Sequence, residues 1–428
     1  MPKDNGLKMF LLFILLMSIT FTNLPFFPEK TVTHSLTFII SPMIFLFILL
    51  KDNFKLRSGY ITSLFIIYMF VSMIISNILL LYVLFKTGSL YMFGKNMFIK
   101  TFEAFFSLIL LHFFVYYSTL QLIKDLSFKT IKYMLLFMYF FLTLIAFIEY
   151  FNPDFFNFFH SSPKEYGRLR LFTMEPSHAG LFYGIYAMLS IFFVKSLYIK
   201  ILILVFSLIV EILIGSKGLF VTILLVILIL QIKNIFNLKF VSILLILLIF
   251  SSFITYSYII PALLIDIENF TSFATRASGI ISGVYIFLFY PMGTGLGTYL
   301  YFYPEIFYQS SNLLNEIFIK LFNFPLNLSE IVSIVTTGEN LGAKSGIFQS
   351  IMLTGWVGVF FWFLLYKKVK FYINNSYISK KKRLVLHFLV LSMFIQLIIG
   401  SEYTLLYVIW LPISIIEKLY TEGGIHIE

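Results

Sequence analysis

The sequence has no cysteine and few charged residues. Of its 428 residues, only 12% are charged, whereas 60% are hydrophobic. A soluble globular protein carries about 25% charged residues, so this chain could not keep its surface wetted in water. The absence of cysteine excludes disulfides, thiol nucleophiles and metal sites that use cysteine. Such a chain belongs in a bilayer, where a spanning helix needs about 20 apolar residues.

Several motifs of nucleotide-driven, metal-dependent or hydrolytic proteins are also missing. The sequence has no G-x-x-x-x-G-K-[ST], H-E-x-x-H or G-x-S-x-G motif, and its six histidines show no ligand spacing. The formal net charge is +11, but the basic residues form no stripe with interleaved aromatic residues for nucleic acid. We therefore expect no ATP-driven pump, no metal site, no cofactor and no nucleic-acid partner.

The hydrophobic pattern predicts an all-α integral membrane protein, a single polytopic domain over 1–428 with about twelve transmembrane helices. No alanine precedes Ala104, so the first apolar run lacks an A-x-A-like cleavage site and is expected to remain as a span. The predicted spans are 7–27, 32–50, 60–85, 102–123, 133–151, 179–194, 201–214, 219–230, 240–260, 347–366, 384–400 and 405–417.

The distribution of positive charge predicts the orientation of these spans. With the N-terminus inside, the inner segments hold 20 of the 31 Lys and Arg residues in about 70 residues, and the outer segments hold the other 11 in about 140. This bias predicts that both termini are cytoplasmic. Two large outer (periplasmic) loops then follow, at 152–178 and 261–346.

The first large loop ends in GRLRLFTMEPSHAG, which places Arg168, Arg170, Glu175 and His178 between two apolar runs. If the segment is extended, Arg168 and Arg170 point the same way, and two guanidiniums on one face suit a phosphate or diphosphate. Ser177 stands where it could cap the following helix, whose N-terminus favours anions. A solvated loop with an ordinary helix cap is the alternative.

The second large loop contains Arg276 at the start of an apolar, glycine-rich stretch. We expect this stretch to form a helix in the outer interface. It leads into PMGTGLG, which lacks the strand and βαβ context of a dinucleotide site. We interpret this motif as a tight turn where the backbone closely approaches a neighbour or a ligand. Lys344 lies near the end of the loop, and an ordinary polar boundary is the alternative there.

Within the predicted spans, Glu211 and His112 stand out because charge is costly in a membrane. We expect Glu211 to pair with Lys217 or to reach the outer face. His112 is expected to be a hydrogen-bonded residue of the helix bundle. Glu149 lies near the end of a span, where a long side chain can extend to the interface at little cost.

These segments together resemble the O-antigen polymerases (Wzy-type) of the O-antigen polymerase/ligase superfamily. The resemblance rests on the Arg-x6-Glu-Pro-Ser pattern at 168–177, the Ser-Lys-Gly tip at 216–218, and Arg276 followed by Pro-x-Gly-x-Gly at 291–295. A Gly-x-x-Gly span entry at 355–358 also fits. Related ligases often carry a His or His-Asn pair before the late span, whereas Lys344 and Ser345 stand there in this chain.

The resemblance implies an enzyme at the outer face of the bacterial inner (cytoplasmic) membrane that joins oligosaccharide repeat units carried on undecaprenyl diphosphate. Membrane lipids, a chain-length regulator and a flippase would be its partners. Arg168, Arg170 and Arg276 would bind the diphosphate, as would Lys217 and Lys344. A polysaccharide polymerase of this kind is a glycosyltransferase, and the alternatives are an O-antigen ligase or a lipid-linked oligosaccharide flippase or transporter.

Such a transfer needs a base for the attacking hydroxyl as well as positive charge on the leaving diphosphate. Glu175 and His178 are the candidate bases. His178 is favoured because histidine titrates near neutral pH.

Overall fold

The computed structural model describes residues 2–22, 35–56, 59–153, 160, 168–173, 175–231, 271–399 and 406–422. These residues form an α-helical body, and the strands found among them make one two-stranded antiparallel hairpin, Tyr91–Met92 with Lys95–Asn96. The helices are α1 Pro2–Thr20, α2 Thr37–Lys51, α3 Tyr60–Thr87, α4 Met97–Lys124, α5 Phe128–Phe151, α6 Pro176–Phe193, α7 Leu197–Ile214, α8 Lys217–Gln231, α9 Ser272–Phe289, α10 Tyr299–Phe322, α11 Ser329–Thr337, α12 Gly346–Thr354, α13 Trp356–Asn375, α14 Lys380–Ile399 and α15 Trp410–Thr421.

Five of these helices are long and apolar enough to cross a membrane, namely α3, α4, α5, α7 and α14. Four shorter apolar helical segments also occur, at Asn5–Thr20, Thr37–Lys51, Val221–Leu230 and Phe273–Phe289. Exposed positions along the long helices are occupied by side chains such as Phe70, which is 68% exposed. Contact of such apolar surfaces with lipid is favourable, whereas their contact with water is not. The count of about twelve spans stays a prediction, and the span predicted at 240–260 lies outside the described residues.

Buried aromatic residues fill the centre of the bundle around α4 and α15. His112 and Trp410 are both fully buried there, and the indole Nε1 of Trp410 donates a hydrogen bond to His112 Nδ1 at 2.8 Å. The expectation that His112 is a hydrogen-bonded bundle residue is therefore confirmed. The hydroxyl of Tyr116 donates to Glu417 at 2.7 Å in the same region, so two hydrogen bonds between buried side chains join α4 to α15.

The described part of the predicted second loop is largely helical. It contains α9, α10 and α11, and α9 packs along both α10 and α12. The helix expected after Arg276 is α9, and the structure does not test whether it lies in the outer interface. Leu296, between α9 and α10, donates its backbone N–H to the hydroxyl of Ser76 near the middle of the 28-residue helix α3. The loop segment thus reaches between the long helices.

The helices on either side of the GSKG tip pack against different neighbours. Gly215 ends α7 in a left-handed conformation with φ of 62°, as a glycine after a helix commonly does. Helix α7 packs mainly on α6 and α5, whereas α8 packs mainly on α14. The predicted tip is a turn at Gly215 and Ser216, whereas Lys217 and Gly218 already belong to α8. Both sides of this turn lie beside Gly180 near the start of α6, where an added Cβ atom would lie 3.7 Å from Ile214 and 3.3 Å from Leu219.

Candidate functional site

The carboxylate of Glu149, which was not among the predicted site residues, holds the loop before α6 in place. Glu149, near the end of α5, is only 1% exposed. Its two carboxylate oxygens accept hydrogen bonds from the backbone N–H groups of Arg170 at 3.0 Å and Leu171 at 2.8 Å. The expectation that Glu149 extends to the membrane interface is therefore wrong. A buried loop must satisfy its backbone groups, and Glu149 does this here.

The other side of the same loop is tied to the end of α1. The backbone N–H of Thr22 donates to the carbonyl of Phe172 at 3.1 Å, and the ring of Phe172 stacks on Phe21 with centroids 4.2 Å apart. The hydroxyl of Thr173 contacts the carbonyl oxygens of Arg170 and Glu175, each at 2.8 Å. These contacts fix the direction in which the chain enters α6.

Arg168 contacts the end of α7. Its guanidinium donates from Nη2 to the carbonyl of Gly215 at 2.7 Å and from Nε to the carbonyl of Ile214 at 3.3 Å. A cation is stabilised there by the exposed carbonyls and the dipole of the helix end. Arg170 is buried at 6% exposure. The two arginines thus have different surroundings, and the expectation that either one binds a phosphate stays a prediction.

Glu175 and Arg276 form an ion pair between segments that lie far apart in the sequence. Arg276 Nη2, on α9, lies 3.0 Å from Glu175 Oε2, just before α6. The hydroxyl of Ser177 donates to the same oxygen at 3.1 Å. Ser177 was expected to cap α6 with its side chain. Instead, it hydrogen-bonds to the carboxylate of Glu175, the N-cap residue, whose side chain makes no cap bond to the helix.

Two further basic side chains lie near this ion pair. Partial desolvation alone would raise the pKa of Glu175, which is 48% exposed, but His178, Arg276, the Ser177 hydroxyl and Lys344 together lower it below the usual value of 4.5. His178 is in the first turn of α6 and is 2% exposed. Three basic residues therefore surround one carboxylate at the N-terminus of a helix, where the helix dipole adds positive potential.

Glu330 fixes the first turn of the helix that carries Arg276. Its Oε2 atom accepts hydrogen bonds from the hydroxyls of Thr271 at 2.6 Å and Thr275 at 2.9 Å. Thr275 directly precedes Arg276 in the sequence. Glu330 belongs to α11, so one helix of the predicted second loop stabilises the start of another helix of that loop, the one that carries Arg276.

Glycines let α9 lie directly against the segment that carries Lys344. A Cβ atom added at Gly279 would collide with the main-chain carbonyl of Ala343, and one added at Gly283 would collide with the ring of Phe348. Lys344 itself has a left-handed backbone with φ of 52°, which is uncommon for a residue other than glycine. The backbones that carry Arg276 and Lys344 are thus held together by close contact.

The PMGTGLG turn contacts a break between α12 and α13. A Cβ atom at Gly293 would lie 2.5 Å from the backbone nitrogen of Gly355, and both glycines have positive φ. The N–H of Trp356 donates to the carbonyl of Pro291 at 2.9 Å, and that of Gly295 to Leu353 at 2.9 Å. The predicted close approach to a neighbour is confirmed, and that neighbour is the backbone of the helix break.

Glu211 is buried at 7% exposure, and the structure does not test whether it lies at the outer face. A Cβ atom added at Gly180 would lie 2.9 Å from Glu211 Oε2, and one at Gly184 would lie 3.5 Å from Oε1. Within the described ranges, no hydrogen-bond partner contacts either carboxylate oxygen. The side chain of Lys217, the predicted partner, lies outside the described residues. Glu211 is therefore a carboxyl group enclosed by α6 and α7, about one turn before the end of α7.

The structure brings together four of the seven predicted site residues. We call them the outer charged cluster, after the outer loops that the sequence predicts for them: Glu175, His178, Arg276 and Lys344. Arg168 and Arg170 lie on the supporting loop beside it. The residue that sequence reasoning missed is Glu149. Its only sequence signal was an acidic residue near the end of an apolar run.

The described chain is thus an all-α protein with helices of membrane-spanning length and a charged cluster assembled from three separate segments. A curated protein described as an uncharacterized 49.5 kDa protein in the cps region of Klebsiella pneumoniae is 37% identical over 105 residues. The alignment covers 24% of this chain and 22% of that relative, so this chain spans less than a quarter of the relative's length. No family model matches the chain.

Proposed function

We propose that this protein polymerises oligosaccharide repeat units carried on undecaprenyl diphosphate at the outer face of a bacterial inner membrane. The observation that carries the proposal is the outer charged cluster. Two permanently basic side chains and a histidine surround one carboxylate there. This leaves a surplus of positive charge beside apolar helices, and an anionic headgroup on a lipid chain has the complementary chemistry.

In the proposed reaction, a hydroxyl of one lipid-linked unit attacks the anomeric carbon of another. A new glycosidic C–O bond forms, the C–O bond to the diphosphate breaks, and the lipid diphosphate leaves with the bonding electron pair. Arg276 and Lys344 are assigned to the leaving diphosphate. Charge stabilisation of this kind is typically worth about 10²–10³ in rate for a single donor.

The proton of the attacking hydroxyl goes to a base, and the geometry favours His178 over Glu175. The Glu175 carboxylate is already bound to Arg276 at 3.0 Å, and its pKa is lowered because basic neighbours lie close to it. A carboxylate stabilised in this way is a weak proton acceptor. His178 lies three residues further along, inside the cluster.

The relative from the cps region supports a role in surface polysaccharide biosynthesis, since cps denotes a capsule polysaccharide region. This relative does not favour a polymerase over any other membrane step of polysaccharide biosynthesis. The polymerase is favoured over a ligase by the sequence at 344–345, which reads Lys-Ser where ligases often carry a His or His-Asn pair.

A transporter of lipid-linked oligosaccharides is the second candidate, and Glu211 is the observation that favours it. Ionisable residues inside a membrane bundle commonly mark a substrate or ion path. However, Glu211 is enclosed at 7% exposure against two glycines of α6. Glu175, His178, Arg276 and Lys344 instead collect at the start of α6, which suits an enzyme at one face better than a path through the bundle.

The glycan profile of cells that lack this protein separates these functions. Loss of a polymerase leaves single repeat units on the acceptor, loss of a ligase leaves bare acceptor, and loss of a flippase traps lipid-linked units inside. We expect single units. Complementation with Arg276→Gln or Lys344→Gln should restore less than about a tenth of wild-type polymer, whereas Lys100→Gln, which removes the partner of Glu103 on α4, should restore normal lengths. Normal polymer with both cluster variants would contradict the assignment.

A further inference from the structure

The ion pair in the outer charged cluster occupies the group that the proposed function assigns to the substrate. Arg276 donates from Nη2 to Glu175 Oε2 at 3.0 Å, and Ser177 donates to the same oxygen at 3.1 Å. A carboxylate is a planar oxyanion and a phosphate is a tetrahedral one. Both accept hydrogen bonds from the same N–H groups of a guanidinium. The protein therefore carries an internal anion on its own anion-binding side chain.

This internal anion is accessible to exchange. The side chain of Arg276 is 36% exposed and that of Glu175 is 48% exposed. Ion pairs with this degree of exposure are weak, because water screens the two charges. A diphosphate carries more negative charge than one carboxylate and can accept two parallel hydrogen bonds from a guanidinium. A competing phosphate can thus displace Glu175 at a low energetic cost.

The two partners of the pair belong to different packing units. Arg276 lies on α9, which is held against α10, α12 and the backbone of Ala343. Glu175 lies at the start of α6, which packs on α5, α7 and α14. The ion pair links the two units at the cluster, and each residue is fixed by its own neighbours. Breaking the pair would therefore not unfold either unit.

We propose that the Glu175–Arg276 pair is an exchangeable latch, in which the Glu175 carboxylate holds the phosphate-binding position of Arg276 until the diphosphate of the substrate replaces it. The latch rests on the proposed function, because it presumes that Arg276 binds the diphosphate. Glu175 is then a specificity-determining residue. A monovalent anion competes with it poorly, whereas a diphosphate displaces it.

The test measures binding of inorganic pyrophosphate to the full-length protein in lipid nanodiscs, by isothermal titration calorimetry at constant ionic strength. Glu175→Gln keeps the size of the side chain and removes its charge. We expect this variant to bind pyrophosphate roughly 1.5-fold to fivefold more tightly than the wild type. Arg276→Gln should bind it more weakly, and the double variant should show no gain over Arg276→Gln alone.

A matched control is Glu103→Gln, which removes a carboxylate that is 35% exposed and paired with Lys100 on α4. It should leave pyrophosphate affinity unchanged. Wild-type binding with unchanged or weaker binding by Glu175→Gln would overturn the latch while leaving the anion site in place. If neither protein binds pyrophosphate, the proposed diphosphate site is refuted and the latch with it. A gain in Glu175→Gln that persists in the Arg276→Gln background would also overturn the latch.

Discussion

Replacing Glu149 should release the loop that carries the site motif, although Glu149 itself lies behind that loop. The carboxylate accepts from two backbone N–H groups, those of Arg170 at 3.0 Å and Leu171 at 2.8 Å. Hydrogen bonds to a charged group contribute about 1.5–3 kcal/mol each. Because Glu149 is 1% exposed, water cannot easily replace it. Glu149→Ala should therefore cost about 3–6 kcal/mol locally.

The isosteric variant should have a smaller effect. Glu149→Gln retains one carbonyl oxygen as an acceptor but places an NH₂ group against the other backbone N–H. One buried donor is then left without a partner, which costs about 1–3 kcal/mol. Since every 1.4 kcal/mol is about tenfold in an equilibrium constant, the loop should open roughly tenfold to hundredfold more often.

Hydrogen exchange measured by mass spectrometry on the purified protein reports this opening directly, through the amides of Arg170 and Leu171. Both amides should exchange faster in Glu149→Gln and faster still in Glu149→Ala, while amides in the middle of α5 keep their wild-type rates. Glu103→Gln, which removes a carboxylate elsewhere in the helix bundle, is the control and should leave the exchange at 170 and 171 unchanged. Unchanged exchange at 170 and 171 would refute the role given to Glu149.

Three further predictions concern the packing and the charges. Gly297→Ala should collide with a main-chain carbonyl of the neighbouring helix and lower the thermal midpoint, whereas Gly218→Ala meets no atom within 4 Å and should cause no collision. His112→Ala leaves the Trp410 N–H without the acceptor it has at 2.8 Å, so the free energy of unfolding should fall by about 1–3 kcal/mol, read from denaturant unfolding. The pKa of Glu175 is lowered from 4.5, so its stabilising contribution is complete above that pH and is lost as the pH falls through the lowered value. The difference in thermal midpoint between wild type and Glu175→Gln should therefore persist at about pH 5 and shrink in stronger acid.

The apolar pattern was sufficient to predict the long helices and the class of protein. The α3, α5 and α14 helices follow long, mainly apolar runs, and such runs favour a spanning helix over most alternatives. The turn at Gly215 was also predictable, because a left-handed glycine ends a helix in a recognisable way. These features depend on residues close together in the sequence.

The pairing inside the site could not be predicted in the same way. Glu175 and Arg276 were assigned separately, as a base and as a phosphate ligand, although they contact each other at 3.0 Å. Nothing in the local sequence of either residue records the other. Glu149 was missed for a related reason. Its role is to bond the backbone of another segment, and backbone N–H groups leave no trace in the identity of the residues that carry them.

The activity that we propose for this protein is the joining of lipid-linked oligosaccharide units. The most direct test is to reconstitute the purified protein in lipid vesicles with its undecaprenyl-diphosphate-linked repeat unit, without nucleotide and with a chelator present. We expect a ladder of longer lipid-linked glycans that disappears in Arg276→Gln. Transfer of the intact unit across the bilayer, with no ladder, would contradict it and identify the protein as a transporter.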